Sequence, residues 1–325
     1  MTKIDIYSGF LGAGKTTLIK KMIQEAYTGE KLVLIENEFG EIGIDGGFLQ
    51  DAGINITEMN SGCICCSLVG DFGKALTQVI AQYAPDRIVI EPSGVGKLSD
   101  VVAAVEKVTN EDVTLGNTVA VVDAGKVKVY MKNFGEFYNN QVETANMIIL
   151  SRTDAISQEK LDTAVSLLRE HNAEATLVTT PWGELTGAQL LEAMSHKQDM
   201  AAELMHEHEH HHHHHEEGEC CCGHDHGHEH HHHHADEVFT SWGVETTRKF
   251  TEAQIADVLH KLDSGDYGMI LRAKGIVACA DGGWIHFDYV PEEHNVRFGS
   301  AGVIGKLCVI GAQLKEAAVA ELFGV

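Results

Sequence analysis

The 325-residue chain lacks any apolar run approaching the roughly 18 residues that a membrane helix requires, which excludes a spanning protein. Its N-terminus, MTKIDIYSGF, carries Asp5 inside the first apolar stretch and has no small-residue cleavage site, so no signal peptide is expected. Basic residues are scarce: 24 Lys and Arg stand against 48 Asp and Glu, a formal net charge of −24. Nine of those acids lie between 206 and 237, where there is no Lys or Arg, so the remainder still carries −15. A surface that acidic repels phosphate backbones and argues against nucleic-acid partners. Aromatics are only 6%, yet 44% of residues are hydrophobic, an ordinary globular composition whose length suits two domains. Spread-out cysteines are missing too: six of the eight sit at 63, 65, 66 and 220–222, too close together for loop-closing disulfides. In a chain without a signal peptide, that clustering predicts metal or redox chemistry in a reducing, cytoplasmic compartment.

Residues 1–195 alternate Ile/Val-rich runs with amphipathic stretches. KIDIYS (3–8), KLVLIE (31–36), DRIVIE (86–91), TVAVVD (118–123), MIILS (147–151) and ATLVTT (175–180) read as strands buried on both faces. Lys15–Ala26, Asp71–Gln82 and Gln158–Arg169 read as helices between strands. The alternation predicts an α/β domain over 1–195, a mainly parallel sheet flanked by helices. Residues 196–236 cannot build a core and are expected to form a disordered linker. A globular pattern resumes over 237–325. Thr251 and Gln254 make a capping-box pattern opening a helix through Leu262, Gly282-Gly283 mark a hairpin, and KLCVIG (306–311) is a strand leading into a last helix. This second unit is expected to be a small α+β domain.

Gly9-Phe10-Leu11-Gly12-Ala13-Gly14-Lys15-Thr16 matches GxxxxGK[ST], after a strand and at the start of a helix. Such a loop turns backbone N–H groups inward around phosphate oxygens at a positive helix end. Lys15 is placed to reach the β- and γ-phosphates and Thr16 to ligate Mg²⁺. The partner this motif needs, an acid ending a neighbouring strand, is offered by Glu91 in IVIEPSG, followed by Gly94, whose backbone can approach a γ-phosphate. Guanine-specific P-loop proteins end a later strand with Asn-Lys-x-Asp. Here MIIL leads into Ser151-Arg152-Thr153-Asp154. Asp154 keeps the carboxylate that accepts guanine protons and Arg152 can stack on the base, which favours GTP; Ser in place of Asn leaves ATP open. Asp123, ending TVAVVD, is either a second carboxylate near the site or a turn former.

Cys63-Ile-Cys65-Cys66 follows the short run INITEM and precedes a helix. Thiolates so spaced can share one Zn²⁺ or Cu(I), and a helix N-terminus lowers their pKa values. One tetrahedral position remains for a carboxylate, His, water or partner. A redox pair or buried structural cysteines are the other readings. Three thiols beside the acidic loop Glu36-Asn37-Glu38-Phe39-Gly40-Glu41 favour coordination.

GFLGAGKTT, IENEFGEIGID, GCICC and EPSG together resemble the CobW, HypB and UreG class of metal-trafficking P-loop GTPases, nearest the CobW/YjiA branch. RAKGIVACADGGWIHFDYV (272–290) and KLCVIGAQL (306–314) are similar to the C-terminal domain of CobW-type proteins, so the resemblance spans all but the His-rich insert. It implies that Cys63, Cys65 and Cys66 form an internal metal site, with Glu36 and Glu41 as additional ligands. It also implies that Gly12, Gly14, Lys15, Thr16 and Thr17 hold phosphate and Mg²⁺, and that Glu91 and Gly94 sense the γ-phosphate. Such proteins are slow GTPases that deliver Zn²⁺, Co²⁺, Ni²⁺ or related ions to client metalloproteins. Ser151-Arg152, where G-protein relatives have Asn-Lys, is a departure.

The insert HEHEHHHHHHEEGECCCGHDHGHEHHHHH (206–234) holds 16 of the 21 histidines. His206, His208, His210, His224, His226 and His228 with Cys220, Cys221 and Cys222 make a high-capacity metal sponge for Zn²⁺, Ni²⁺, Co²⁺ or Cu²⁺ that selects none of them. An internal position, a second run of five and interrupting Glu, Gly and Cys exclude a purification tag. Cys279 and Cys308 are expected to be core thiols, and His260, His286 and His294 surface or satisfied side chains; Trp182, Trp242 and Trp284 show no stacking pattern. The expectation is a GTP-hydrolysing, zinc-delivering metallochaperone with a client metalloprotein, no membrane partner, and room for homodimerisation. The rivals are a non-catalytic metal buffer or sensor and an ATP-using small-molecule kinase.

Overall fold

The computed structural model describes residues 1–36, 56–60, 69–195 and 240–325. It divides into two compact units, Met1–Lys197 and Gln198–Val325. No helix among the described residues is long and apolar enough to cross a membrane.

The first unit is built on seven strands, β1 (Thr2–Ser8), β2 (Leu32–Glu36), β3 (Ile56–Asn60), β4 (Arg87–Glu91), β5 (Val113–Asp123), β6 (Met147–Ser151) and β7 (Thr176–Val178). They lie in the order β3-β2-β4-β1-β5-β6-β7, and every pairing is parallel. The Ile/Val runs satisfy this arrangement because both faces are covered: Leu32 to Ile35, Ile88 to Ile90 and Met147 to Leu150 are all buried. Among the described residues the helices between its strands are α1 (Lys15–Glu25), α2 (Val69–Tyr83), α3 (Leu98–Glu106), α4 (Val127–Thr144) and α5 (Gln158–His171), and α6 (Gly187–Ser195) follows the last strand. Each apolar stripe packs inward, as Leu18, Ile19, Met22 and Ile23 of α1 do.

One irregularity sits at the centre. Asp5, fully buried on β1, lies where the pairing of β1 with β5 slips between Ile4 and Ile6. Its carboxylate accepts the Asn117 backbone N–H at 2.7 Å and forms an ion pair with Arg87 of β4. Arg87 also binds Glu30 at 2.5 and 3.0 Å and lies 4.2 Å from the centroid of the Tyr27 ring. A buried carboxylate is tolerable only when paired and hydrogen-bonded in this way. The bulge lets β5 begin at Val113, five residues before the TVAVVD run. Gly116 is required there, because a Cβ would collide with the Asp5 carboxylate.

The second unit is a five-stranded antiparallel sheet in the order β11-β10-β9-β12-β8, from β8 (Thr240–Thr246), β9 (Met269–Ala278), β10 (Trp284–Val290), β11 (Glu293–Gly299) and β12 (Gly305–Ala312). Helices α7 (Glu252–Leu262) and α8 (Glu316–Phe323) contribute Ile255, Leu259, Val319 and Phe323 to a core shared with Phe287 and Val309. The Thr251–Gln254 capping box is closed in both directions, and Gly282-Gly283 connect the β9–β10 hairpin. Cys279 and Cys308 are buried thiols. His286 bonds the Ser300 carbonyl at 2.8 Å, and His260 packs edge-on against His294. β11 was not foreseen: EHNVRFG is polar because it is an edge strand with most residues exposed.

Gly116→Ala is expected to cost about 1–3 kcal/mol through overpacking against Asp5. The check is a lower urea midpoint at unchanged slope, read on Trp182 in the first unit; a wild-type midpoint would show that the bulge tolerates a side chain.

Candidate functional site

Parallel pairing brings the carboxyl ends of the strands to one edge, and β1 feeds its loop into the middle of that edge. Gly9 to Gly14 connect Ser8 directly to Lys15, the first residue of α1. Gly14 caps the helix at φ 105° without a side-chain cap, and the first turn holds no acid of its own, so no carboxylate of α1 compensates the positive helix end. Ala13 is buried and Thr17 exposed in this loop and turn. Lys15 is 9% exposed with its Nζ 4.0 Å from Glu91 Oε1. Burial pulls its ammonium below the usual lysine range, and Glu91 opposes that pull. Thr16 Oγ1 donates toward both Glu91 oxygens, at 3.1 and 3.2 Å. Glu36 ends β2 in direct register with Glu91, so two carboxylates stand on adjacent strand ends.

The other flank is closed by Arg152, which takes φ 56° immediately after β6. Its guanidinium pairs with Asp123 and donates through Nη2 to the Gly12 carbonyl at 3.0 Å. Asp123 pairs with Arg152 and accepts the Gly125 N–H at 3.0 Å, the contact of a turn former. Asp154 is exposed in the short 3-10 turn Thr153–Ala155. Trp182, which shows no stacking pattern in the sequence, lies in the turn after β7 and donates its Nε1–H to the Leu150 carbonyl at 3.1 Å. A Cβ on Gly14 would stand 3.0 Å from its ring, so this indole forms a wall of the loop. The clue was its place two residues beyond ATLVTT, at the same carboxyl edge as the phosphate loop.

The donor set fits a Mg²⁺-bound nucleoside triphosphate. Gly94 packs so tightly on the loop that a Cβ would lie 2.9 Å from the Leu11 amide nitrogen. The hydroxyl oxygens of Ser8 and Thr153, at the same edge, are buried without a protein partner. The structure thus brings together Gly9, Gly12, Ala13, Gly14, Lys15, Thr16, Thr17, Glu91, Gly94 and Arg152, with Glu36 one strand away and Asp154 exposed two residues beyond Arg152. Glu41, Cys63, Cys65, Cys66 and the insert with His206–His234 and Cys220–Cys222 lie outside the described residues. Among the described residues, no group of three or more His, Cys, Asp or Glu could hold a metal ion.

Arg152→Ala removes both the tie to Asp123 and the pin on the Gly12 carbonyl. It is expected to weaken nucleotide binding about tenfold, or 1.4 kcal/mol, in a titration followed by Trp182 fluorescence. Unchanged affinity would mean that the loop holds its shape without this bridge.

Residues 3–179 match the family model described as "CobW/HypB/UreG, nucleotide-binding domain", and residues 239–324 match "Cobalamin synthesis protein cobW C-terminal domain". Among curated proteins, the zinc chaperone CobW of Sinorhizobium sp is 30% identical over 216 residues, 57% of this chain and 61% of that one. The zinc chaperone YeiR of Escherichia coli K12 is 28% identical over 207 residues, 63% of each chain. The zinc chaperone YjiA of the same organism is 32% identical over 190 residues, 56% of this chain and 58% of that one. The chain therefore spans about three-fifths of the length of these relatives. The Zn(II)-bound YjiA GTPase from E. coli aligns over 99% of this chain and 98% of that one, with 20% identity and a TM-score of 0.43. With a family model covering more than half its length and a second covering the C-terminal unit, the chain belongs to the CobW/HypB/UreG family.

Proposed function

We propose that this protein is a GTP-hydrolysing metallochaperone that binds zinc at Cys63, Cys65 and Cys66, with Glu36 and Glu41 as further ligands, and passes it to a client metalloprotein under nucleotide control. The observation that carries the reading is the β2–β4 register. Glu36, at the head of the acidic segment, stands beside Glu91, and Glu91 is bonded to Thr16 of the phosphate loop. A change in what Glu91 and Thr16 hold is therefore one strand spacing from the first proposed zinc ligand. Curated relatives named zinc chaperones support zinc as the cargo, and another named zinc-regulated GTPase metalloprotein activator supports GTP as the fuel.

In this reading the loop amides and Lys15 bind the phosphates, and the lysine gains the anionic partner that its buried position calls for. Thr16 would hold Mg²⁺ with Glu91 behind it; the ion supplies charge against that developing on the phosphates. Gly94 brings a backbone amide to the γ-phosphate, Asp154 accepts the guanine protons and Arg152 keeps the loop and the base platform together. The His-rich insert gathers Zn²⁺, with Co²⁺ and Ni²⁺ also suited to its imidazoles, and leaves selection to the thiolates. Loss of the γ-phosphate would change what Glu91 and Thr16 hold beside Glu36 and, with it, coordination at the cysteines.

Zinc affinity measured by chelator competition in protein lacking 206–234 is expected to differ at least tenfold, about 1.4 kcal/mol, between GDP–Mg²⁺ and a non-hydrolysable GTP analogue. Cys65→Ser should abolish the difference. Equal affinities would favour a metal buffer with a structural nucleotide. Asp154→Ala is expected to weaken GTP about tenfold or more while leaving ATP unchanged; equal loss for both nucleotides would remove Asp154 from base recognition.

A further inference from the structure

Gln141 lies on α4 and is 1% exposed, far from any solvent-facing role. Its Nε2 donates to the Gly94 carbonyl at 3.1 Å and to the Gly96 carbonyl at 2.9 Å. Its Oε1 is buried with no partner. A side chain that leaves one buried acceptor unmet while both donors go to one loop has been placed for that loop. The same helix reaches the loop's far end, where Asn140 exchanges hydrogen bonds with Ser99 at 3.2 and 3.0 Å in the first turn of α3. It also touches the phosphate loop: Phe10 packs on Tyr130 and Phe134 with ring centroids at 4.7 and 4.9 Å. At Phe134 the backbone leaves helical geometry, with φ −134° and ψ 27°, beside Gly135. α4 therefore grips both sides of the place where Gly94 meets Leu11.

We propose that Gln141 is the positioning residue that holds Gly94-Val95-Gly96 against the phosphate loop, so that the loop is pre-formed for the γ-phosphate of GTP; this rests on the GTPase reading above. Two glycines in three residues give the segment wide backbone freedom, and ordering it costs about 1–2 kcal/mol per residue. A carboxamide with two N–H donors is the uncharged side chain that can bind two carbonyls at once. Leucine at 141 fills the same volume and offers no donor. Glutamate keeps the shape but, when ionised, turns acceptors toward two carbonyl oxygens. GDP has no γ-phosphate and does not call on the segment, so Gln141 acts on triphosphate binding alone.

The test uses full-length wild-type, Gln141→Leu, Gln141→Glu and Asn140→Ala proteins, titrated with GDP–Mg²⁺ and with a non-hydrolysable GTP analogue–Mg²⁺. Both Gln141 variants are expected to lose about tenfold or more in affinity for the analogue, with GDP changed by less than about twofold. Asn140→Ala, which loosens only the α3 end, is expected to lower the Tm and leave the ratio of the two affinities at its wild-type value. If Gln141→Leu does not fold, the isosteric Gln141→Glu carries the same comparison. Equal losses for the two nucleotides, an unchanged ratio, or the same ratio shift in Asn140→Ala would overturn the assignment while leaving the GTPase reading intact. A wild-type protein that binds no guanine nucleotide would overturn that reading and the assignment with it.

Discussion

Parallel pairing of β1 between β4 and β5 is the constraint on which the rest of the first unit depends. Parallel strands must all finish at the same edge, so residues scattered along the chain become neighbours only there. Glu36, Glu91, Asp123 and Ser151 each end a strand, and register places Glu36 beside Glu91 and Asp123 beside Ser151. Because β1 is central, its loop opens between these two pairs, and the first turn of α1 presents its positive end to them. Move β1 to an edge of the sheet and Thr16 loses Glu91 while Gly12 loses Arg152.

Charge is disposed by the same frame. The chain as a whole carries −24, yet the buried carboxylates among the described residues, Asp5 and Asp123, each pair with an arginine. Asp5 is held by Arg87 inside the sheet, and Asp123 by Arg152 at the edge. Such pairs recover the cost of desolvation only with good hydrogen-bond geometry. Lys15 is the exception that points to function. It is buried 4.0 Å from Glu91, a carboxylate that Thr16 already engages, and burial lowers its pKa. In the proposed function a polyanion bound in the loop would resolve that imbalance.

Helix α4 shows how a fold can join parts that the sequence keeps separate. Phe10, Gly94 and Ser99 belong to three different connections, and Tyr130, Phe134, Asn140 and Gln141 touch all of them from one side. None of these α4 residues stands in a recognisable motif. Their role follows from the helix lying across the ends of two loops, which neither hydropathy nor spacing reports.

What the sequence determined by itself was everything set by local chemistry. Ile/Val runs dictated buried strands, Gly14-Lys15-Thr16 dictated a phosphate loop, Thr251 and Gln254 dictated a capped helix, and Gly282-Gly283 dictated a hairpin. Those signals are short-range and depend on residue type and period alone. The tertiary structure decided the rest. It placed Glu36 next to Glu91, turned Asp123 into the partner of Arg152, set Trp182 against Gly14 and made polar EHNVRFG an edge strand. It also extended β5 past its apolar run, because a bulge capped by Asp5 lets polar backbone continue the ladder. Except for the β10–β11 hairpin, these outcomes rest on partners tens of residues away, and strand order and register, not composition, select those partners.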